Sequence, residues 1–129
     1  YMSHNFKPDE IPNLEEKSKE MLQDHNIRFL GIIDSMGRQV AGGYKEGLVR
    51  LVDDEEHKMC IQHVLGFVLT KDLDESLGEV DYLISKRKKV CMITIPLQNY
   101  VILMSVERNA DVEKIVEKTL KLFETILID

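Results

Sequence analysis

The chain has no tryptophan, two cysteines and only three prolines in 129 residues. Aromatic residues make up 6% of it, so aliphatic side chains must build the core. Cys60 and Cys91 are too few to staple a chain of this length, which excludes a disulfide scaffold and fits a reducing compartment. No apolar run approaches the roughly 20 residues needed to span a bilayer, and nothing resembles a signal peptide. The expectation is therefore a cytoplasmic protein without membrane insertion. Positive charge is also short: a formal net charge of -6 argues against nucleic acid as the partner, because phosphate binding rests on a basic footprint.

What is present reads as one soluble globular domain, with 43% hydrophobic and 31% charged residues. Tyr1 ahead of Met2 reads as a residue added before the natural start. Residues 1–12 hold two of the three prolines and little periodicity, so they are expected to form an N-terminal tail before a single domain over 13–129. A short polar helix is expected at 14–25, with Asn13 as its cap and Glu16 three residues on.

"IRFLGIID" (27–34) is apolar on both alternating faces, with Ile27, Phe29 and Ile33 on one and Leu30 and Ile32 on the other. Such a strand is covered on both sides and belongs near the middle of a sheet. "RQVAG" (38–42) follows at hairpin spacing. The intervening stretch "IIDSMGRQVAGG" is glycine-rich, but Gly43 and Tyr44 stand where a Walker loop needs Lys and a hydroxyl. A strand follows it, so no helix N-terminus is available for a phosphate. It reads as a turn shaped by Asp34 and Gly37.

"DDEEHKMCIQHVLGFVLTKDLDESL" (53–77) reads as a helix with Asp53 as its cap and acids suited to its positive end. Cys60, Ile61, Val64, Leu65, Phe67, Val68 and Leu69 cover an arc of about 200°, twice the stripe of an ordinary surface helix. That is more apolar surface than one sheet face can cover. Three strand-like runs follow at 79–87, 89–98 and 100–107, the last two apolar on both faces. A final helix starting at Asn109 or Ala110 carries Val112, Ile115, Val116, Leu120, Phe123, Ile126 and Leu127 at helical spacing. The fold class is α+β: a three-layer α-β-α sandwich around a five-stranded antiparallel sheet, in the order α-β-β-α-β-β-β-α.

Two further clusters carry chemistry-bearing residues. His57, Cys60 and His63 recur every three residues, but Cys60 lies on the apolar arc and the two histidines sit about 120° apart, so a metal site is not expected. "SKRKK" (85–89) sets Lys86, Arg87, Lys88 and Lys89 at a strand–strand tip. It reads either as a solvated turn or as a docking patch for an acidic partner or nucleic acid. No catalytic, cofactor-binding or metal residues are assigned, and the chain is not expected to be an enzyme.

The element order, with "FLGIIDSMGRQVAGG" as strand–turn–strand, resembles the roadblock family of dynein light chains and their prokaryotic relatives, within the profilin-like or longin-like folds. Asp34 and Gly37 match the family's turn, and the layout covers about residues 13–127. The chain is also similar to small uncharacterised archaeal proteins of related fold. The resemblance implies a homodimer in which the second helix and third strand of each copy pair to extend the sheet. It also implies a non-enzymatic platform that serves small GTPases as scaffold or regulator. On that reading Val64, Phe67, Val68 and Lys71 of the helix and Val80, Tyr82 and Ile84 of the strand form the interface. The alternative reading is a profilin-like small-molecule sensor, marked by an internal cavity with convergent polar groups.

Overall fold

The computed structural model describes residues 10–52 and 54–127. Its elements run α1 (Ile11–Met21), β1 (Ile27–Ile33), β2 (Gln39–Tyr44), α2 (Glu56–Thr70), a 3-10 turn (Lys71–Leu73), α3 (Asp74–Leu77), β3 (Leu83–Lys86), β4 (Val90–Leu97), β5 (Tyr100–Glu107) and α4 (Val112–Leu127). The strands form one five-stranded antiparallel sheet in the order β2-β1-β5-β4-β3. The α+β class, the layering and the element order are those expected from the sequence, with the 3-10 turn and α3 as a short extension of α2. The three strands with two apolar faces, β1, β4 and β5, fill the middle positions.

Each face of the sheet holds its own core. On one, α1 and α4 cover Leu30, Ile32, Ile93, Ile95, Ile102 and Met104. On the other, α2 covers Phe29, Ile33, Val90, Met92, Val101 and Leu103 through Cys60 and Val64. Ile27 departs from its expected face. A bulge between Ile27 and Phe29 inserts an extra residue opposite β5, which flips Ile27 into the α1–α4 core.

Both ends of α1 differ from the sequence expectation. The helix begins at Ile11, so Ile11 and Pro12 are helical rather than tail, and Asn13 lies inside the first turn. Proline is compatible with a first turn because its missing N–H would have no partner there. The helix stops at Met21, since Asp24 Oδ1 accepts the Asn26 N–H at 2.9 Å and turns the chain. Leu14, Ser18 and Met21 form its buried face, and the Ser18 hydroxyl donates to the Leu14 carbonyl at 2.8 Å. In α4, Thr119 is buried, donating to the Ile115 carbonyl at 2.7 Å, while Leu120, expected in the core, is exposed. The expected cap Asp53, and the side chains of Ile126 and Leu127, lie outside the described residues.

Candidate self-association surface

The β1–β2 turn supplies the first fixed point of the surface. Asp34 Oδ1 accepts the N–H groups of Met36 and Arg38, each at 2.9 Å, and Oδ2 meets Arg38 Nε at 3.0 Å. Gly37 donates its N–H to the Asp34 carbonyl at 3.0 Å and holds φ +82 against Ile61 of α2. The turn therefore packs directly on α2. A small depression beside it is lined by Asp34, Val64, Phe67, Val68 and Lys71 together with the β4–β5 turn.

Along α2 the side chains divide into two stripes. Cys60 and Val64 point to the sheet, and Val64, at 4% exposed, belongs to the core of the single chain. Within one chain Val64 therefore packs against the sheet, whereas the other expected helix residues keep surface exposed. Phe67 is half-buried, with the Lys71 ammonium 5.6 Å above its ring. Val68 is 48% exposed and faces outward. Beside it run Leu65, Leu69, Leu73 and Leu77, of which Leu69 and Leu77 are 71% and 78% exposed. Leu65 and Leu69 are neighbours one turn apart on α2, and Leu73 and Leu77 carry the spacing of four into the 3-10 turn and α3. Leu65 and Leu69 belong to the apolar arc seen in the sequence; none of the four leucines is among the residues expected at the interface.

The third strand is shorter than 79–87. Continuing the β3–β4 register, in which Leu83 faces Thr94, would set Asp81 opposite Pro96, which has no N–H to donate. Val80 and Tyr82 therefore precede the strand rather than form it. Tyr82 is half-buried, and its hydroxyl donates to a Glu113 carboxylate oxygen of α4. That hydrogen bond is the main reason its phenol titrates above the usual range, with partial burial and the charges of Glu113 and Asp81 adding to it. Ile84 faces Ile93 and so stands on the α4 side of the sheet, whereas Leu83 and Ser85 stand on the α2 side. Phe67, Lys71, Val80 and Tyr82 meet in a groove of about 520 Å³ around the end of β4. Ile84 and Gly37 lie outside it.

The two edges of the sheet are treated differently. On β2, the Gly42 N–H donates to Glu15 Oε1 of α1 at 2.7 Å, and the Gly42 carbonyl accepts Gln39 Nε2 at 2.9 Å. Side chains thus occupy backbone groups that an incoming strand would need. At the other end of the sheet β3 pairs only with β4, and Ile84, Ser85 and Lys86 are exposed. Among the described residues, β3 leaves one strand edge open, and α2 with its extension leaves a run of leucines exposed.

Among the described residues no three His, Cys, Asp or Glu side chains gather to hold a metal ion. His57 is exposed, His63 Nδ1 lies 2.7 Å from the Met59 carbonyl, and Cys60 is buried between them. Burial, with the Glu56 charge adding to it, pushes the Cys60 thiol up to about 11. Among the described residues no helix is long and apolar enough to cross a membrane.

A model described as a family of unknown function, DUF6659, matches residues 8–126. The chain belongs to that family. No curated protein matches it. Among solved structures it is similar to the gliding protein MglB from Thermus thermophilus, with 13% identity, a TM-score of 0.79 and 98% and 95% of the two chains covered. A Roadblock/LC7 domain from Streptomyces avermitilis matches at 12% identity and TM-score 0.70, over 88% and 93% of the chains. Myxococcus xanthus MglB matches at 14% identity and TM-score 0.66, over 98% of each chain. At such identities the likeness is one of fold, and the fold of this DUF6659 chain is the roadblock fold.

Proposed function

We propose that this chain is a homodimeric, non-enzymatic interaction module. Two copies pair their β3 edges and lay their α2 stripes together across a two-fold axis, and the joined surface serves a small GTPase as scaffold or regulator. The observations that carry the dimer are the exposed apolar side chains Leu65, Val68, Leu69, Leu73 and Leu77 and, separately, the unpaired edge of β3. Exposed apolar patches of this kind mark interaction surfaces, and a two-fold axis lets one patch cover its own copy. An MglB structure of the same fold is described as having a tetrameric arrangement, which supports self-association through this fold.

The GTPase part of the reading rests on the likeness to roadblock domains. The core favours an interaction module over a small-molecule sensor: Leu30, Ile32, Ile93, Ile95, Ile102, Met104 and Phe123, each no more than 1% exposed, fill the space between the sheet and α1–α4. Changing Leu65 and Leu69 to Asp is expected to halve the sedimenting mass while leaving the far-UV circular dichroism unchanged. An unaltered mass would place the interface elsewhere. A pull-down from native lysate, scored for small GTPases, tests the second half, and a set of partners without any GTPase would refute it.

A further inference from the structure

The two ends of the α2–β3 surface carry opposite charge. At one end the β3–β4 turn presents Lys86, Arg87, Lys88 and Lys89, all exposed. They border a groove of about 750 Å³ whose single carboxylate, Glu55, pairs with Lys58 at 3.3 Å. At the other end the 520 Å³ groove is lined by Asp74, Glu79 and Asp81, with Lys71 as its single cation. Among the described residues, none of the four hairpin cations and none of these three acids makes an ion pair within the chain. The four-residue strand between them is roughly 13 Å long, too far for the two clusters to meet in one copy.

We infer that in the dimer the basic hairpin of each copy seats on the acidic 74–81 segment of the other. This rests on the dimer proposed above and assigns its register. When two β3 strands pair antiparallel, the end of one lies beside the start of the other, and the two-fold axis repeats the contact. Lys86–Lys89 then face Asp74, Glu79 and Asp81 of the second copy twice. A parallel arrangement would set cations against cations and acids against acids, and like-charge repulsion rejects it. The paired strand edges supply the centre of the contact, and the charged ends, lying at the rim, fix direction and speed encounter. The net charge of -6 fits this occupant, because a second copy is an anionic body to the basic hairpin.

A charge swap tests the inference. One variant carries Lys86→Glu, Lys88→Glu and Lys89→Glu; the other carries Asp74→Lys, Glu79→Lys and Asp81→Lys. Sedimentation equilibrium at low salt is expected to show the native chain as a dimer and each variant with a dimer Kd raised tenfold or more. Their equimolar mixture should recover the native Kd, since the heterodimer restores both opposite-charge contacts, and recovery also shows that both variants fold. If both variants keep the native Kd, the hairpin faces some other partner, and the inference falls while the dimer stands. Weakened variants whose mixture does not recover also overturn it. A native chain that is monomeric under these conditions removes the dimer reading itself, and the register with it.

Discussion

Gly42 joins three requirements of the β2 edge, and Gly42→Ala tests them together. Its backbone sits at φ +90, where an L-residue costs about 1–2 kcal/mol. A Cβ built there would stand 2.0 Å from the Leu30 carbonyl oxygen and 3.1 Å from the Gly31 Cα. Those atoms are backbone of β1, so the strands must part rather than a side chain swing aside. Parting also breaks the Glu15–Gly42 hydrogen bond, a charge-assisted contact worth about 1.5–3 kcal/mol. The total is about 3–5 kcal/mol, a large share of the roughly 5–15 kcal/mol that holds a typical domain together. Gly47 provides the control. It has φ +75 with nothing within 4 Å of an added Cβ, so Gly47→Ala should lose only the backbone part, about 1 kcal/mol. Gly37→Ala falls between, because its Cβ would stand 2.9 Å from the Ile61 Cβ. Urea unfolding of the three variants, at unchanged m-value, reads the order directly. If Gly42→Ala is no less stable than Gly47→Ala, the close approach of β1 and β2 is not what requires glycine.

If two copies pair as proposed, Val68→Asp should dissociate them: hiding the exposed half of Val68 is worth about 1 kcal/mol per copy, and two copies make that about 30-fold in Kd before the carboxylates are counted. Sedimentation of the variant over a concentration series checks it. Partial burial alone would raise the Asp24 carboxyl, but the Asn26 N–H and Lys118 more than offset this and hold it below its usual value. Its contribution is present above the unfolded carboxylate range and is lost as pH falls through the folded value, so Asp24→Asn should flatten the stability decline measured by urea melts below about pH 4. Cys60 has the opposite sign: the unfolded thiol ionises near 9 and the folded one near 11, so stability should fall as pH rises between those values. Native protein at about pH 8 should accordingly react with iodoacetamide at Cys60 far more slowly than unfolded protein, as read by mass spectrometry.

The central strands were legible because β1, β4 and β5 each carry apolar residues at consecutive positions, which only a strand covered on both faces can bury. The excess apolar surface of α2 was legible for the same reason. Its direction was not: an arc of about 200° contains both the residues that meet the sheet and those that do not. Val64 and Val68 therefore looked alike, and only the placement of α2 over Phe29 and Met92 separates them. Long-range contacts were out of reach altogether. The capping of Gly42 by Glu15 joins residues 27 apart, and no local pattern announces that one sheet edge is closed while the other is open. The bulge at Ile27 and the start of α1 at Ile11, three residues before the expected 14, are local effects of backbone geometry to which hydrophobic periodicity is blind.

In the proposed dimer two copies meet through α2 and β3. Sedimentation equilibrium of the native chain at micromolar concentration tests it most directly. A single species at twice the 14.9 kDa of one chain is expected. A species of 14.9 kDa that persists across the concentration range would contradict it.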